Sequence, residues 1–290
     1  MFGKKICKKT YGVSICRYNK NQVEILMIKK RYTYSFFSFV FGYYKKYNKK
    51  QIKSMFNTMT IEEKIDIMSL NFSILWYRIW LANPDQNYNF YNIYKNTDNN
   101  NNGIKNIEIN KNTEIFIDNN LYYYKKKHIF ERTFLKDGGK KIKKLIQLSM
   151  NYELEWEIPK GGSSENETDV LCACRELEEE TNITVGDYIL LHDIEPVTIT
   201  NIDFKVTYMT RYYIGYMKNN SKYKPLINFN NKNQVSEISD IKWFNVNDIV
   251  RKKNSNNIYI KKKYNELENI FRIISENFKK KIKMEYYKPQ

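Results

Sequence analysis

Histidine and cysteine are scarce in this 290-residue chain, which has His128 and His192, and Cys7, Cys16, Cys172 and Cys174. So few soft ligands argue against a structural zinc site. Cys172 and Cys174 would point to different sides of a helix, which makes them a poor local clamp. Free thiols in a reducing compartment are the simplest reading. Long apolar runs are lacking too. The N-terminus, MFGKKICKKT, has no apolar core of signal-peptide length. The most apolar stretch, residues 32–44, is too short and too rich in Ser and Tyr to span a bilayer. Acid is the third shortage: 32 Asp and Glu face 49 Lys and Arg, a formal net charge of +17. That excess suits a polyanionic partner such as nucleic acid or polyphosphate. An AT-rich genome would also load a chain with Lys, Asn, Ile and Tyr, and composition does not separate the two origins.

In so basic a chain, residues 161–183 (GGSSENETDVLCACRELEEETNI) are out of character. Thr168 can cap a helix over 168–181, uninterrupted by Gly or Pro. On a helical wheel Val170, Cys174, Leu177 and Thr181 form a narrow stripe expected to pack. Glu176, Glu179 and Glu180 share another sector, and Glu178 faces elsewhere. Glu176 and Glu180 are like charges at i, i+4, which costs about 0.2–0.5 kcal/mol in water and more out of it. A solvated acidic face is the ordinary explanation of such a run. A hard divalent cation with oxygen ligands is the other, because it removes the repulsion. The acidic helix also follows a Pro-Lys-Gly-Gly turn straight out of an expected strand at 154–158, which favours the cation.

The rest of the chain alternates strand and helix signals. Residues 11–18 and 23–28 read as strands joined by a short turn, ending in Lys29-Lys30-Arg31. That basic end suits either an anion site or plain solvation. Ile52, Met55, Phe56 and Met59 repeat at helical spacing. Thr60 and Glu63 form a capping box that opens a helix bearing Ile61, Ile65 and Met68. Phe72, Leu75, Trp76, Ile79 and Trp80 make a third stripe. All three stripes read as core, with ring stacking by Trp76 or Trp80 the lesser alternative. Lys45, Lys46, Lys49, Lys50 and Lys53 lie among Tyr43, Tyr44 and Tyr47, a combination that neutralises phosphates and stacks bases. Residues 97–103 read as an Asn-rich loop, and 107–117 as a small hairpin. Residues 122–127 form a second aromatic-basic run with Lys125, Lys126 and Lys127. Lys140, Lys141, Lys143 and Lys144 surround Ile142, Leu145 and Ile146 on a basic amphipathic helix that faces solvent or nucleic acid. Strands are expected at 188–191, 205–217 and 238–246, then a helix at 246–251. A last helix carries Leu267, Ile270, Phe271, Ile274 and Phe278 and ends in the lysines at 279–281, which suit its dipole.

The spacing Gly161, five residues, Glu167, seven residues, Arg175-Glu176-Leu177, one residue, Glu179-Glu180, then Ile183 resembles the Nudix box. It departs at Asn182, where the family has Gly; Asn is the next best residue for a left-handed helix end. KKRYTYSFFSF, IKSMFNTMTIEEK, LNFSILWYRIWL and LEWEIPKGG, together with the box, resemble the viral mRNA-decapping Nudix enzymes of the African swine fever virus type and, more distantly, those of poxviruses. Residues 96–120 look like extra sequence. The resemblance implies an α/β Nudix fold, an α/β/α sandwich carrying an inserted, mainly helical domain. Residues 1–34 and 150–290 would form the Nudix domain, and 35–149 the RNA-holding insertion.

It further implies cap hydrolysis to 7-methylguanosine diphosphate and 5′-monophosphate RNA. Glu176, Glu179 and Glu180 would bind Mg2+ or Mn2+, with a backbone carbonyl near Gly161. Arg175 would orient the glutamates and pair with Glu167. Glu237, before the strand ISDIKWF, would be a further metal ligand or assist the base, or be an ordinary loop carboxylate. The partner would be capped mRNA in the host cell cytoplasm, with no membrane span, and a homodimer is left open. Two other readings remain: hydrolysis of inositol pyrophosphates or dinucleoside polyphosphates, and a non-catalytic RNA-binding module.

Overall fold

A computed structural model describes residues 6–45, 48–79, 121–150, 152–203, 206–218, 221–253 and 258–286. The chain divides into two compact units. The first comprises Met1–Lys30, Glu155–Asn228 and Ile238–Gln290, and the second Arg31–Leu154 with Phe229–Glu237.

The first unit is built on a seven-stranded mixed sheet. β1 (Ile6–Asn19) and β2 (Gln22–Lys30) form the expected hairpin, longer at both ends than the apolar pattern alone marks. Lys20 and Asn21 turn it with φ of 46° and 63°. β3 (Trp156–Glu157) is shorter than the expected strand at 154–158 and pairs with β2. β4 (Tyr188–Leu190), β5 (Val197–Asp203), β6 (Val206–Met217) and β7 (Ile238–Phe244) complete the sheet. β6 runs parallel to β1 along Ile6–Cys16, the one parallel pairing among the described strands. β7 pairs with β2 over Ile25–Lys30. β5 is absent from the sequence expectations; its Val197 and Ile199 alternate over too few residues to mark a strand unaided.

Both sheet faces are covered. The box helix, which we label α7 (Asp169–Thr181), packs Cys172, Ala173 and Leu177 against Val13, Ile15, Leu26 and Ile28. α9 (Val246–Lys253) and α10 (Ile258–Tyr286) cover the other face with Ile249, Tyr264, Leu267, Phe271, Ile274 and Phe278. This is the α/β/α arrangement. α10 runs on past the lysines at 279–281, so those do not mark its end. All four cysteines are free thiols. Among the described residues no helix is long and apolar enough to cross a membrane.

The helical unit holds α1 (Tyr34–Val40), α2 (Lys49–Asn57), α3 (Ile61–Ser69), α4 (Phe72–Ile79), α5 (Leu121–Phe130), a π-helical turn at Glu131–Leu135, α6 (Lys140–Gln147) and α8 (Lys232–Glu237). Its core is aromatic: the ring of Phe39 lies 5.1, 5.9 and 5.0 Å from those of Phe56, Phe130 and Phe134. Trp76 is buried among Phe41, Phe72 and Tyr123, which leaves it no face for a ligand. Trp80, Lys46, Tyr47, Lys205, the Asn-rich tract at 97–103 and the hairpin expected at 107–117 lie outside the described residues.

α3 overturns one expectation. Ile61, Ile65 and Met68 are not core; they are 38%, 48% and 47% exposed. The buried face is instead Glu63, Lys64 and Ile67. The reason lies in Glu63. It completes the capping box, accepting the Thr60 N–H at 2.9 Å while its own N–H reaches the Thr60 hydroxyl at 3.2 Å. It also accepts the Thr33 N–H at 2.5 Å and the Thr33 hydroxyl at 2.8 Å. Thr33 is the N-cap of α1. One carboxylate thus ties two helix starts together, and that requirement turns the apolar stripe outward.

Burial pushes the Glu63 carboxyl up to about 7, against the pull of its three donors. A raised carboxyl binds its proton more tightly in the folded state, so its contribution to stability is greatest at low pH and declines from about pH 4.5 to about pH 7. Glu63→Ala is therefore expected to destabilise the protein most near pH 5. Its cost should fall by about 2 kcal/mol by pH 8, as measured by urea unfolding at the two pH values.

Candidate active site

The Pro-Lys-Gly-Gly turn is pinned to the sheet before the box begins. Tyr11 and Gly161 exchange both backbone hydrogen bonds, at 2.9 and 3.1 Å. Gly12 lies so close to the turn that a Cβ there would stand 2.1 Å from the Pro159 carbonyl oxygen. The box helix then starts on Thr168, whose hydroxyl accepts the Leu171 N–H at 3.3 Å. It ends on Asn182 at φ 60°, ψ 19°, in the left-handed region, with its N–H on the Glu178 carbonyl at 2.8 Å.

The packed face of α7 follows the stripe read from the wheel in Leu177 and Thr181, with Cys174 packed against the same core, but it is wider than that stripe and leaves Val170 at its margin. Cys172, Ala173, Leu177, Glu180 and Thr181 are buried, while Val170 and Cys174 are only half-buried. The sheet sits closer to the glutamate sector than periodicity suggests. Glu180, at 3% exposure, therefore lies inside and Glu176 and Glu179 at the edge.

Arg175 gathers the edge. Its Nε and Nη2 grip both oxygens of Glu167 at 2.8 and 3.0 Å, and Nη2 also donates to the Gly162 carbonyl at 2.9 Å. Nη1 donates to Glu176 at 2.8 Å and Glu179 at 3.0 Å. These bonds raise the guanidinium pKa and, with the Ser164 N–H, hold the Glu167 carboxyl down at about 2. The Glu176 carboxyl lies flat on Gly161: a Cβ on that residue would be 2.1 Å from the carboxyl carbon. The Gly161 carbonyl itself accepts from Tyr11 and, at 3.7 Å, from the Cys172 thiol.

Glu180 belongs to a second, inner group that includes residues absent from the sequence expectations. The Lys30 ammonium contacts its Oε1, and the Lys160 N–H donates to Oε2 at 3.0 Å. The Lys160 ammonium turns the other way, to Glu157 at 2.5 Å. Burial raises the Glu180 carboxyl to about 7, with Glu157 adding to the rise and Lys30 opposing it. For Glu157 burial is outweighed by Lys160, Lys263 and Lys30, which hold it at about 2. The available signals were a glutamate inside the apolar run LEWEIP and a strand ending in lysines.

Glu237, expected just before β7, is the last residue of α8; its side chain is exposed and its carbonyl accepts the Arg31 N–H at 2.6 Å. In the helical unit Lys45, Lys49, Lys50, Lys53, Lys125, Lys140, Lys141, Lys143 and Lys144 are exposed. Lys126 and Lys127 are half-buried. Lys126 donates to the Gly42 carbonyl at 3.3 Å and lies 4.9 Å from the centre of the Tyr122 ring.

The donor set suits a hard divalent cation. It consists of carboxylates with no imidazole, and one of them is buried where its charge needs a cation beside it. Among the described residues no three His, Cys, Asp or Glu converge as a ready ligand group. Arg175 and Lys30 draw the box carboxylates to themselves.

Residues 135–264 match the NUDIX domain. The mRNA-decapping protein g5R of African swine fever virus is 32% identical over 245 residues, covering 82% of this chain and 85% of that protein. The chain belongs to the Nudix hydrolases. A protein of Acanthamoeba polyphaga mimivirus is 28% identical over 238 residues, 78% of this chain and 59% of its own length. Among solved structures, a C. elegans Ap4A hydrolase in a binary complex aligns over 95% of this chain and 97% of that one, with a TM-score of 0.39 and 12% identity.

The left-handed turn makes residue 182 a sensitive stability probe. Asn182→Gly should be neutral or stabilising by a few tenths of a kcal/mol, and Asn182→Ala should cost about 1 kcal/mol. Denaturant unfolding of the three proteins checks the order.

Proposed function

We propose that the chain removes the 5′ cap of mRNA, hydrolysing the cap pyrophosphate linkage to 7-methylguanosine diphosphate and 5′-monophosphate RNA. The observation that carries this reading is the extent of the likeness. A match over 82% of the chain is more than either compact unit holds, so the likeness to a decapping protein takes in residues of both units of this chain. A small polyphosphate substrate gives no reason for a second, lysine-covered unit.

In this reading Glu176, Glu179 and Glu180 would hold Mg2+ or Mn2+, with a backbone carbonyl near Gly161. The bound cation supplies charge neutralisation at the phosphate oxygens and a lowered pKa for the attacking water. Arg175 fixes the rotamers of Glu176 and Glu179 through its hydrogen bonds, and Glu167 fixes Arg175. A spare carboxylate takes the proton from water as it attacks phosphorus. The lysines at 45, 46, 49, 50, 53, 125–127, 140, 141, 143 and 144 bind the RNA backbone. They act as exchangeable point charges, so affinity falls steeply with salt. The site of action would be the cytoplasm of an infected cell, where capped mRNA is translated.

The test is product analysis on cap-labelled RNA with Mg2+ or Mn2+. Wild type should release 7-methylguanosine diphosphate and prefer long RNA to free cap dinucleotide. Glu179→Gln and Glu180→Gln should each lose about 100-fold or more in rate. Intact capped RNA beside a cleaved diphosphoinositol or dinucleoside polyphosphate would replace the reading with a small-molecule one. No turnover of any of these substrates would leave an RNA-binding module.

A further inference from the structure

Lys30, Lys160 and Glu157 have no role in the chemistry described so far, yet they constrain what can happen around Glu180. Two carboxylates, Glu157 and Glu180, face two ammonium groups, Lys30 and Lys160, in a region the sheet and α7 keep largely from water. Lys263 adds a further positive charge near Glu157. A divalent cation taken up by Glu180 would stand beside these ammonium groups, and like charges this close repel strongly in so dry a place.

Lys30 and Lys160 are not equivalent in this respect. Lys160 donates its backbone N–H to Glu180 Oε2 at 3.0 Å, and its ammonium is engaged by Glu157 at 2.5 Å. A carboxylate oxygen can accept that N–H and a metal ion together. Lys30 places its ammonium directly on Glu180 Oε1, where a cation would compete with it. Its backbone is fixed: β2 is paired on one side with β3 and on the other with β7, and the Ser239 hydroxyl donates to the Lys30 carbonyl at 3.0 Å. Only the side chain can move. That side chain is flexible and 19% exposed, against 4% for the side chain of Glu180.

We propose that Lys30 is an internal counter-ion: it holds Glu180 in place and cedes it to the divalent cation, its ammonium then taking a phosphate oxygen of the substrate. The exchange couples cation binding to anion binding. It rests on the reading of Glu180 as a metal ligand given above, and it adds a residue outside the box with two successive partners.

The experiment is calorimetry of Mn2+ binding, then of inorganic pyrophosphate binding at saturating Mn2+, to the full-length protein at pH 8. The variants are Lys30→Met, Lys30→Gln and Lys30→Arg, with folding checked by circular dichroism. Loss of the competing ammonium should tighten Mn2+ binding about tenfold in the Met and Gln variants and weaken pyrophosphate binding about tenfold. Lys30→Arg keeps a movable charge and should stay close to wild type in both. If the Met and Gln variants bind Mn2+ no tighter than wild type, Lys30 is only a packing partner of Glu180 and the inference is overturned. If Glu179→Gln and Glu180→Gln leave Mn2+ binding unchanged, the metal reading of the box fails and takes the inference with it.

Discussion

The catalytic unit depends on how it compensates a dense group of negative charge on one helix. α7 carries Glu176, Glu178, Glu179 and Glu180 within five positions, which by themselves would favour an unfolded, fully hydrated helix end. Arg175 answers the outer members with a planar fork, as only a guanidinium can, because its donors diverge in fixed directions toward Glu167, Glu176, Glu179 and the Gly162 carbonyl. Lysine answers the inner member. The helix is thus divided electrically: an edge held rigid by a residue that cannot lose its charge, and a buried position held by a flexible one.

That division explains where the glycines fall. Gly161 and Gly12 lie where backbone meets backbone or a carboxyl group, with no room for a Cβ. The turn between β3 and α7 is pressed against β1, so the carboxylates stand at a fixed height above the sheet. Asn182 closes the far end in the left-handed region at small cost. The sheet, the turn and the arginine together do what a bound ion alone could not: they choose which oxygens face one another before any ligand arrives.

Much of this was legible in the chain because it is local. The box is a spacing rule within some twenty residues, and Thr60 with Glu63, or Thr168 at the head of α7, are caps that three or four residues define. What was not legible depends on contacts far apart in sequence. Lys30 and Glu180 are 150 positions apart, and nothing in either segment announces the other. The outward stripe of α3 misled for a related reason: periodicity finds an apolar face but cannot know that Thr33, far upstream, claims the opposite one through Glu63. Likewise β5 owes its existence to the long partner β6 beside it, more than to its own short alternation.

The helical unit is also assembled from two separate lengths of chain, Arg31–Leu154 and Phe229–Glu237. The second supplies buried Gln234, Val235 and Ser236, and carbonyls at Val235 and Glu237 that accept from Arg31 at the start of the first. On the ribosome the first length emerges well before the second. The unit cannot be completed until the strands β3 to β6 and the box have been made. Its closure is then a late event in synthesis, reached only after the catalytic helix has left the exit tunnel.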